Sequence, residues 1–260
     1  MKAIILAAGQ GTRLKKYTEG LPKGMLLFQG KTIIERQIEL YRKCGIEDIV
    51  IVRGYAAEKI DYTGIKYYAN EEYSVTNMVE SLLVAKAEFV GDIIVSYSDI
   101  LFNEHLLNSM IEAQYDFAVA VDDNWKEYWV QRYGRVDFDT ESLKIDSDNC
   151  IMSLGLENPP VDEIDARYIG LLKFSRYALE CVLELWDQDY EEYRDRPWQQ
   201  SGKHIRQAYM TDLLNALIES GYPVKAIRFC NGWIEFDTDE DYEKACQWAT
   251  DGTVKRFLSL

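Results

Sequence analysis

Near its start the chain runs from apolar residues straight into a glycine-rich turn, Leu6-Ala7-Ala8-Gly9-Gln10-Gly11-Thr12-Arg13-Leu14, with Pro22-Lys23 close behind. Glycine lets backbone N–H groups approach anionic oxygens closely, and successive N–H groups can form an anion-binding nest. Arg13 and Lys23 add mobile positive charge, which suits the stretch to a triphosphate. The residues alone leave three readings: an ordinary turn with solvated basic residues, a dinucleotide fingerprint, or a phosphate loop. Leu14 stands where the third glycine of G-x-G-x-x-G belongs, and G-x-x-x-x-G-K-[ST] is absent.

A second group of candidates is acidic. Asp99 lies just past the end of an apolar run, where open α/β sheets bind their ligands. Asp237 belongs to Glu235-Phe236-Asp237, and strand alternation puts the two carboxylates on one face. A hard ion such as Mg²⁺ typically takes one or two carboxylates plus phosphate oxygens. The plainer reading of Asp237 is a helix-start residue beside the cap Thr238. Thr76, Asn77 and Ser81 open a helix with Asn77 and Ser81 on one face. An amide and a hydroxyl there can match the edge of a base, or Thr76 or Asn77 can simply cap the helix. Trp125, Tyr128, Trp129, Arg132, Tyr133 and Arg135 form an aromatic and basic cluster. It reads either as an anion or ammonium pocket or as a core stripe or subunit contact. His105 and His204 are the only histidines and have no metal-pair spacing, and there is no G-x-S-x-G elbow.

The elements that must position these residues follow from periodicity. Strands are expected at Lys2–Ala8, Asp48–Val52, Asp92–Tyr97 and Phe117–Val121, with helices between them. Thr32 and Glu35 form a capping box for a helix carrying Ile34, Ile38 and Tyr41 that stops near Gly45; another helix spans Asn77–Lys86. The alternation predicts an α/β, Rossmann-like fold with a mostly parallel central sheet and helices on both faces. From Asn124 to Ser175 the pattern turns hairpin-like (Tyr133–Phe138, Cys150–Leu156, Arg167–Phe174), which predicts a small antiparallel lid. Asp187–Lys203 reads as a loop, followed by a helix at Ile205–Glu219, a strand at Val224–Phe229 and a last helix opened by Thr238. The expectation is a single domain, with a core over about residues 1–122 and 205–260 and a lid over about 123–204.

The chain has 260 residues, 47% hydrophobic, and a net charge of −15, which argues against nucleic acid and anionic membrane as partners. There is no 18-residue apolar run and no signal-peptide pattern at the N-terminus, and the five scattered cysteines fit a reducing, cytoplasmic setting. The pattern is compatible with a homodimer.

The L-A-A-G-x-G-T-R-L stretch followed by P-K resembles the signature of the nucleoside-triphosphate transferases, and the resemblance covers nearly the whole chain. It extends through Val52-Arg53-Gly54-Tyr55, Tyr73-Ser74-Val75-Thr76-Asn77-Met78 with Ser81, Ser98-Asp99, Tyr168-Ile169-Gly170, Thr211-Asp212 and Trp233-Ile234-Glu235-Phe236-Asp237-Thr238. The T-N-x-x-x-S pattern is similar to that of the cytidylyltransferases of phosphocholine, 2-aminoethylphosphonate and phosphoglutamine. Tyr97-Ser98-Asp99-Ile100, Asp123-Asn124-Trp125, Trp129 and Arg132 are most similar to the phosphonate and phosphoglutamine members. Lys23-Gly24-Met25 replaces the P-K-P-M of the sugar-phosphate enzymes, and their C-terminal β-helix is missing, which counts against a sugar-phosphate acceptor. The resemblance implies transfer of CMP from CTP to a small phosphonate or phosphate with release of pyrophosphate. It assigns catalysis to Lys23, Arg13, Asp99 and Asp237, and a Mg²⁺ cofactor to Asp99 and Asp237 with Glu235 as a third candidate. It assigns the nucleotide to Leu6, Ala7, Ala8, Gly9, Gly11, Thr12, Gly54, Tyr55, Thr76, Asn77, Ser81 and Ser98. The acceptor falls to Arg132, Trp129 and Tyr168. Alternatives are a phosphocholine or sugar-1-phosphate enzyme, or a nucleotide-sensing domain without catalysis.

Overall fold

Six consecutive buried residues, Lys2–Ala7, form strand β1, and their side chains alternate between two cores. Ala3, Ile5 and Ala7 face one core while Ile4 and Leu6 face the other, as period-2 geometry demands of a strand covered on both sides. The computed structural model describes residues 1–14 and 16–259. After β1 come β2 (Leu27–Phe28), β3 (Lys31–Thr32), α1 (Ile33–Lys43), β4 (Ile49–Arg53), β5 (Lys66–Ala69) and α2 (Met78–Val84). Next are β6 (Ile93–Tyr97), β7 (Ile100–Phe102), α3 (Glu104–Glu112), β8 (Phe117–Asp122), α4 (Trp125–Tyr133), β9 (Glu141–Ile145) and β10 (Ile151–Glu157). The chain closes with β11 (Arg167–Phe174), α5 (Arg176–Glu192), α6 (Met210–Glu219), β12 (Val224–Phe229), β13 (Trp233–Glu235) and α7 (Asp239–Asp251).

The seven-stranded central sheet has the order β12-β8-β11-β6-β1-β4-β5. All neighbours pair in parallel except β11, which runs antiparallel to both β6 and β8. The sheet is thus mostly parallel, as expected. Helices α1 and α3 supply one core with Ile34, Ile38, Tyr41, Leu106 and Leu107, and α2, α5 and α6 supply the other. The Thr32–Glu35 capping box is present at the start of α1, and a second, Thr238 with Asp241, opens α7.

The expected lid is corrected in three places. Within the stretch read as lid, β9 and β10 form a separate antiparallel hairpin. The Tyr133–Phe138 segment is the end of α4 and a loop rather than a hairpin arm, because Trp125, Tyr128 and Trp129 bury one helical face in the core. Strand β11 is not lid at all but the strand that stitches β6 to β8. Helix α5 also continues to Glu192, into the stretch read as loop, with Trp186 and Asp189 buried.

Register brings the working residues to one edge. Leu6 pairs with Val52 and Tyr97, so Ala8, Gly54 and Asp99 follow at the C-terminal ends of three parallel strands, with Ser98 one step behind beside Ala7. Being antiparallel, β11 delivers its first residues, Arg167 and Tyr168, to the same edge. A bulge after Tyr168 holds Gly170 at φ +79°, where a Cβ would sit 2.5 Å from the Tyr97 ring. Gly54 has no such φ but is confined: a Cβ would lie 2.6 Å from the Ala8 carbonyl oxygen and 2.7 Å from Tyr73 Cβ. Gly54→Ala should therefore cost about 1–3 kcal/mol of stability through overpacking against backbone. Denaturant unfolding checks this; an unchanged midpoint would mean the loop yields freely.

Candidate active site

The turn after β1 is shaped around Lys23. Gly11 adopts φ +66°, and a Cβ there would lie 3.2 Å from Lys23 Cβ. Gly24, next to the lysine, is packed still closer: an added Cβ would fall 2.7 Å from Ile34 Cδ1 and 2.9 Å from the Ser98 carbonyl oxygen. That confinement leaves no room for a side chain at position 24. Lys23 Nζ donates to Asp99 Oδ2 at 2.8 Å and to Asp237 Oδ1 at 2.7 Å. Arg13 reaches the other oxygen of Asp237 at 2.7 Å. Burial on its own would lower the Lys23 ammonium, but the two carboxylates outweigh it and hold the group above its ordinary value. Burial would likewise raise Asp237; Lys23 and Arg13 overcome it and keep the carboxyl below its ordinary range.

Two carboxylates that meet at one ammonium are hard oxygen donors converging from β6 and β13, which lie far apart in the chain. Among the described residues no cluster of three or more His, Cys, Asp or Glu could hold a metal. A pair of aspartates fits Mg²⁺, which binds through few protein ligands and completes its shell from phosphate oxygens and water. It does not fit an all-protein zinc or calcium cage. Glu235 turns its carboxylate to Arg132, away from this pair.

Beside the aspartate pair lies a cleft of about 260 Å³ lined by Leu6, Ala8, Gly9, Gly11, Lys23, Ser98 and Asp99 on one side. Tyr73, Thr76, Asn77, Met78, Ser81 and Tyr97 complete it. Asn70, which the sequence reading missed, organises the far wall by donating to both Thr76 Oγ1 and Ser81 Oγ at 3.0 Å. No local pattern marks it, since it acts from the loop after β5. Asn77 does cap α2, accepting from Met78 N at 2.9 Å, and it also faces the cleft. The capping and ligand-facing readings of this segment are both compatible with the geometry. Ala7 is buried in the core beneath the loop, Thr12 is exposed on it, and Gly54 and Tyr55 lie behind it, where Tyr55 N donates to Ala8 O.

The expected acceptor residues need correction. Arg132 is 1% exposed and its guanidinium is spent on Asp241 and Glu235, so it does not face a ligand. Trp129 is 0% exposed, its indole N–H donating to Phe138 O. Trp125 and Tyr128 are buried as well, so they form the core stripe and offer no aromatic cage. Arg132 is instead a clamp: it ties α4 to the segment 235–241 that carries Asp237, while Tyr128 OH accepts from Glu235 N. Burial pushes the Glu235 carboxyl up against the opposing charges of Arg132 and Arg167. Tyr168 does approach the cleft, with its hydroxyl 2.9 Å from that of the cleft residue Tyr97.

Residues 3–161 match the MobA-like NTP transferase domain. The chain belongs to that family. Over 254 residues this nucleotidyltransferase is 35% identical to the CTP:phosphoglutamine cytidylyltransferase of Campylobacter jejuni, covering 94% of this chain and 98% of that protein. Over 151 residues, 56% of this chain and 65% of the other, it is 36% identical to the choline-phosphate cytidylyltransferase of Streptococcus pneumoniae. The solved CTP:phosphocholine cytidylyltransferase of S. pneumoniae shares its fold, with a TM-score of 0.74, 23% identity, and coverage of 95% of this chain and 98% of that one. The inositol-1-phosphate CTP transferase of T. maritima does so too, at TM-score 0.68 and 20% identity over 100% of this chain and 98% of that one. Among the described residues no helix is long and apolar enough to cross a membrane.

Two predictions follow from the charge network. Arg132→Met strands the buried carboxylates of Asp241 and Glu235 and should cost about 3–5 kcal/mol in unfolding experiments. A stable variant with a raised acceptor KM would restore Arg132 to the pocket. Asp237, held below its ordinary 3.8, contributes stability that is complete above that value and is lost as pH falls through its lowered one. Lys23, raised above its ordinary 10.5, contributes stability that is present below that value and is lost as pH rises through its raised one. The stability difference between wild type and Asp237→Asn should then stay flat from about pH 5 to about pH 9. Unfolding curves across that range that diverge near neutrality would contradict the assignment.

Proposed function

We propose that this nucleotidyltransferase moves CMP from CTP to a small acceptor bearing a phosphate or phosphonate, and that it needs Mg²⁺. The observation that carries the reading is Lys23 held between Asp99 and Asp237 beside the glycine turn, at one end of a cleft whose other wall presents Thr76, Asn77 and Ser81. The cytidylyltransferase relatives support the choice of CTP.

An acceptor oxygen attacks the α-phosphorus of CTP, a P–O bond forms, and the α–β bridge breaks with its electron pair leaving on pyrophosphate. The acceptor oxygen is already anionic, so no strong base is required, and catalysis is mainly alignment and charge stabilisation. The backbone N–H groups of the glycine turn and the exposed Arg13 guanidinium hold the leaving phosphates. Lys23 neutralises charge on the α-phosphoryl oxygens, and its surrounding carboxylates keep it protonated throughout the neutral range. Asp99 and Asp237 would hold Mg²⁺, which would supply Lewis-acid stabilisation of phosphoryl charge. On the base side, Ser81 and Asn77 offer a hydroxyl and an amide to the polar edge of cytosine, and a mismatched base leaves them unpaired.

The test is pyrophosphate release with CTP and an acceptor panel. CTP should give a higher kcat/KM than UTP, ATP or GTP, and excess EDTA should stop release. Lys23→Ala should lower kcat by about two to three orders of magnitude with the fold retained. Near-normal turnover of that variant would remove Lys23 from the mechanism, and a preference for UTP or GTP would refute the cytosine reading.

A further inference from the structure

Arg13, one of the two cations on Asp237, leads from the aspartate pair to a second set of charged groups. Arg13 spans from Asp237 to Asp139, whose carboxylate lies 3.6 Å from the guanidinium. From there the chain enters β9 at Glu141, and Arg167, at the start of β11, meets this segment from the other side. Arg167 donates to the backbone oxygen of Asp139 at 3.5 Å and lies 3.8 Å from the Glu141 carboxylate, outside hydrogen-bonding distance. Its guanidinium stacks 4.6 Å over the Trp129 ring, and its Nε–H is buried without a hydrogen-bond partner. Tyr168, the next residue, hydrogen-bonds through its hydroxyl to Tyr97, which lines the cleft. This is a cation and a carboxylate, neither saturated by the other, joined to the site through Tyr168 and through the Arg13–Asp139 contact.

We propose that Arg167 and Glu141 receive the far end of the acceptor, and that this end is an amino-acid head: Arg167 takes its carboxylate and Glu141 its ammonium. The inference rests on the nucleotidyl transfer proposed above and specifies the acceptor class for it. A guanidinium flattened against an indole is pre-organised for a planar carboxylate, which a lone lysine would not match. Glu141 keeps 37% of its side chain exposed, within reach of an incoming ammonium, whereas Arg167 keeps 11%. A choline head offers no carboxylate and an aminoethylphosphonate lacks one as well, so each would leave Arg167 unanswered.

The experiment compares pyrophosphate release from CTP with four acceptors: O-phosphoserine and phosphoglutamine, which carry both charges, phosphoethanolamine, which lacks the carboxylate, and phosphoglycolate, which lacks the ammonium. At least one of the first two should exceed both of the others in kcat/KM by about 10-fold or more. Arg167→Met should erase the advantage over phosphoethanolamine, and Glu141→Gln the advantage over phosphoglycolate. Glu141 lies at the surface, so its variant reports even where Arg167→Met does not fold. Equal use of phosphoethanolamine and the zwitterionic acceptors by the wild type, or an unaltered ratio in Glu141→Gln, overturns the proposal while leaving CMP transfer intact. No pyrophosphate with any acceptor, sugar phosphates included, overturns the transfer reading and this one with it.

Discussion

The site is organised by one largely buried electrostatic arrangement, an ammonium held between two carboxylates that arrive from segments far apart in the chain. Asp99 and Asp237 bring two carboxylates to a partly buried edge, and Lys23 supplies the counter-charge that, with Arg13, keeps Asp237 below its ordinary range. The arrangement holds only if three backbones meet there: the turn after β1, the end of β6 and the segment after β13. Gly24 permits that approach, with no room for a side chain between Ile34 and the backbone of Ser98. The parallel pairing of β1 with β6 and the small β7–β13 ladder then set the positions of the two aspartates.

Support for this cluster comes from a layer without ligand contact of its own. Arg132, Asp241, Glu235 and Tyr128 bind α4 to the two sides of Asp237, and the Thr238–Asp241 capping box makes one aspartate serve both the helix end and the arginine. A fully buried guanidinium with two acidic partners is costly to assemble but very costly to break, so it fixes position more than it adds net stability. Asp237 is held by its neighbours on either side in sequence.

The parts of the site legible in the sequence were those encoded locally. The glycine turn, the Thr32 and Thr238 caps, the strand-end placement of Asp99 and the start of α2 each depend on a few adjacent residues, and the structure places them as expected. What was not legible depended on long-range contacts. Trp125, Trp129 and Arg132 have the composition of a pocket, and only the packing of α4 against β13 and α7 shows them to be interior. The direction of β11 is equally invisible in its residues: an apolar run reads the same whether the strand is parallel or reversed. Asn70 carries no signature, because it acts on Thr76 and Ser81 only once the loop after β5 has folded over them.

The reversed strand also bears on how such an enzyme can change over time. Parallel strands present only their C-terminal ends at the working edge, and here the ends of β1 and β6 line the cleft that the proposed reading gives to the nucleotide. Strand β11 contributes an N-terminal end, and the hairpin beside it hangs outside the main sheet, tied to it chiefly by apolar contacts of Leu143, Ile151 and Leu154. Among the described residues, Glu141 and Arg167 make no hydrogen bond or ion pair with the glycine turn or the aspartate pair. One half of the edge is thereby under little freedom to vary while the other drifts, so a lineage can exchange one acceptor for another by altering a few positions and keep its triphosphate chemistry throughout.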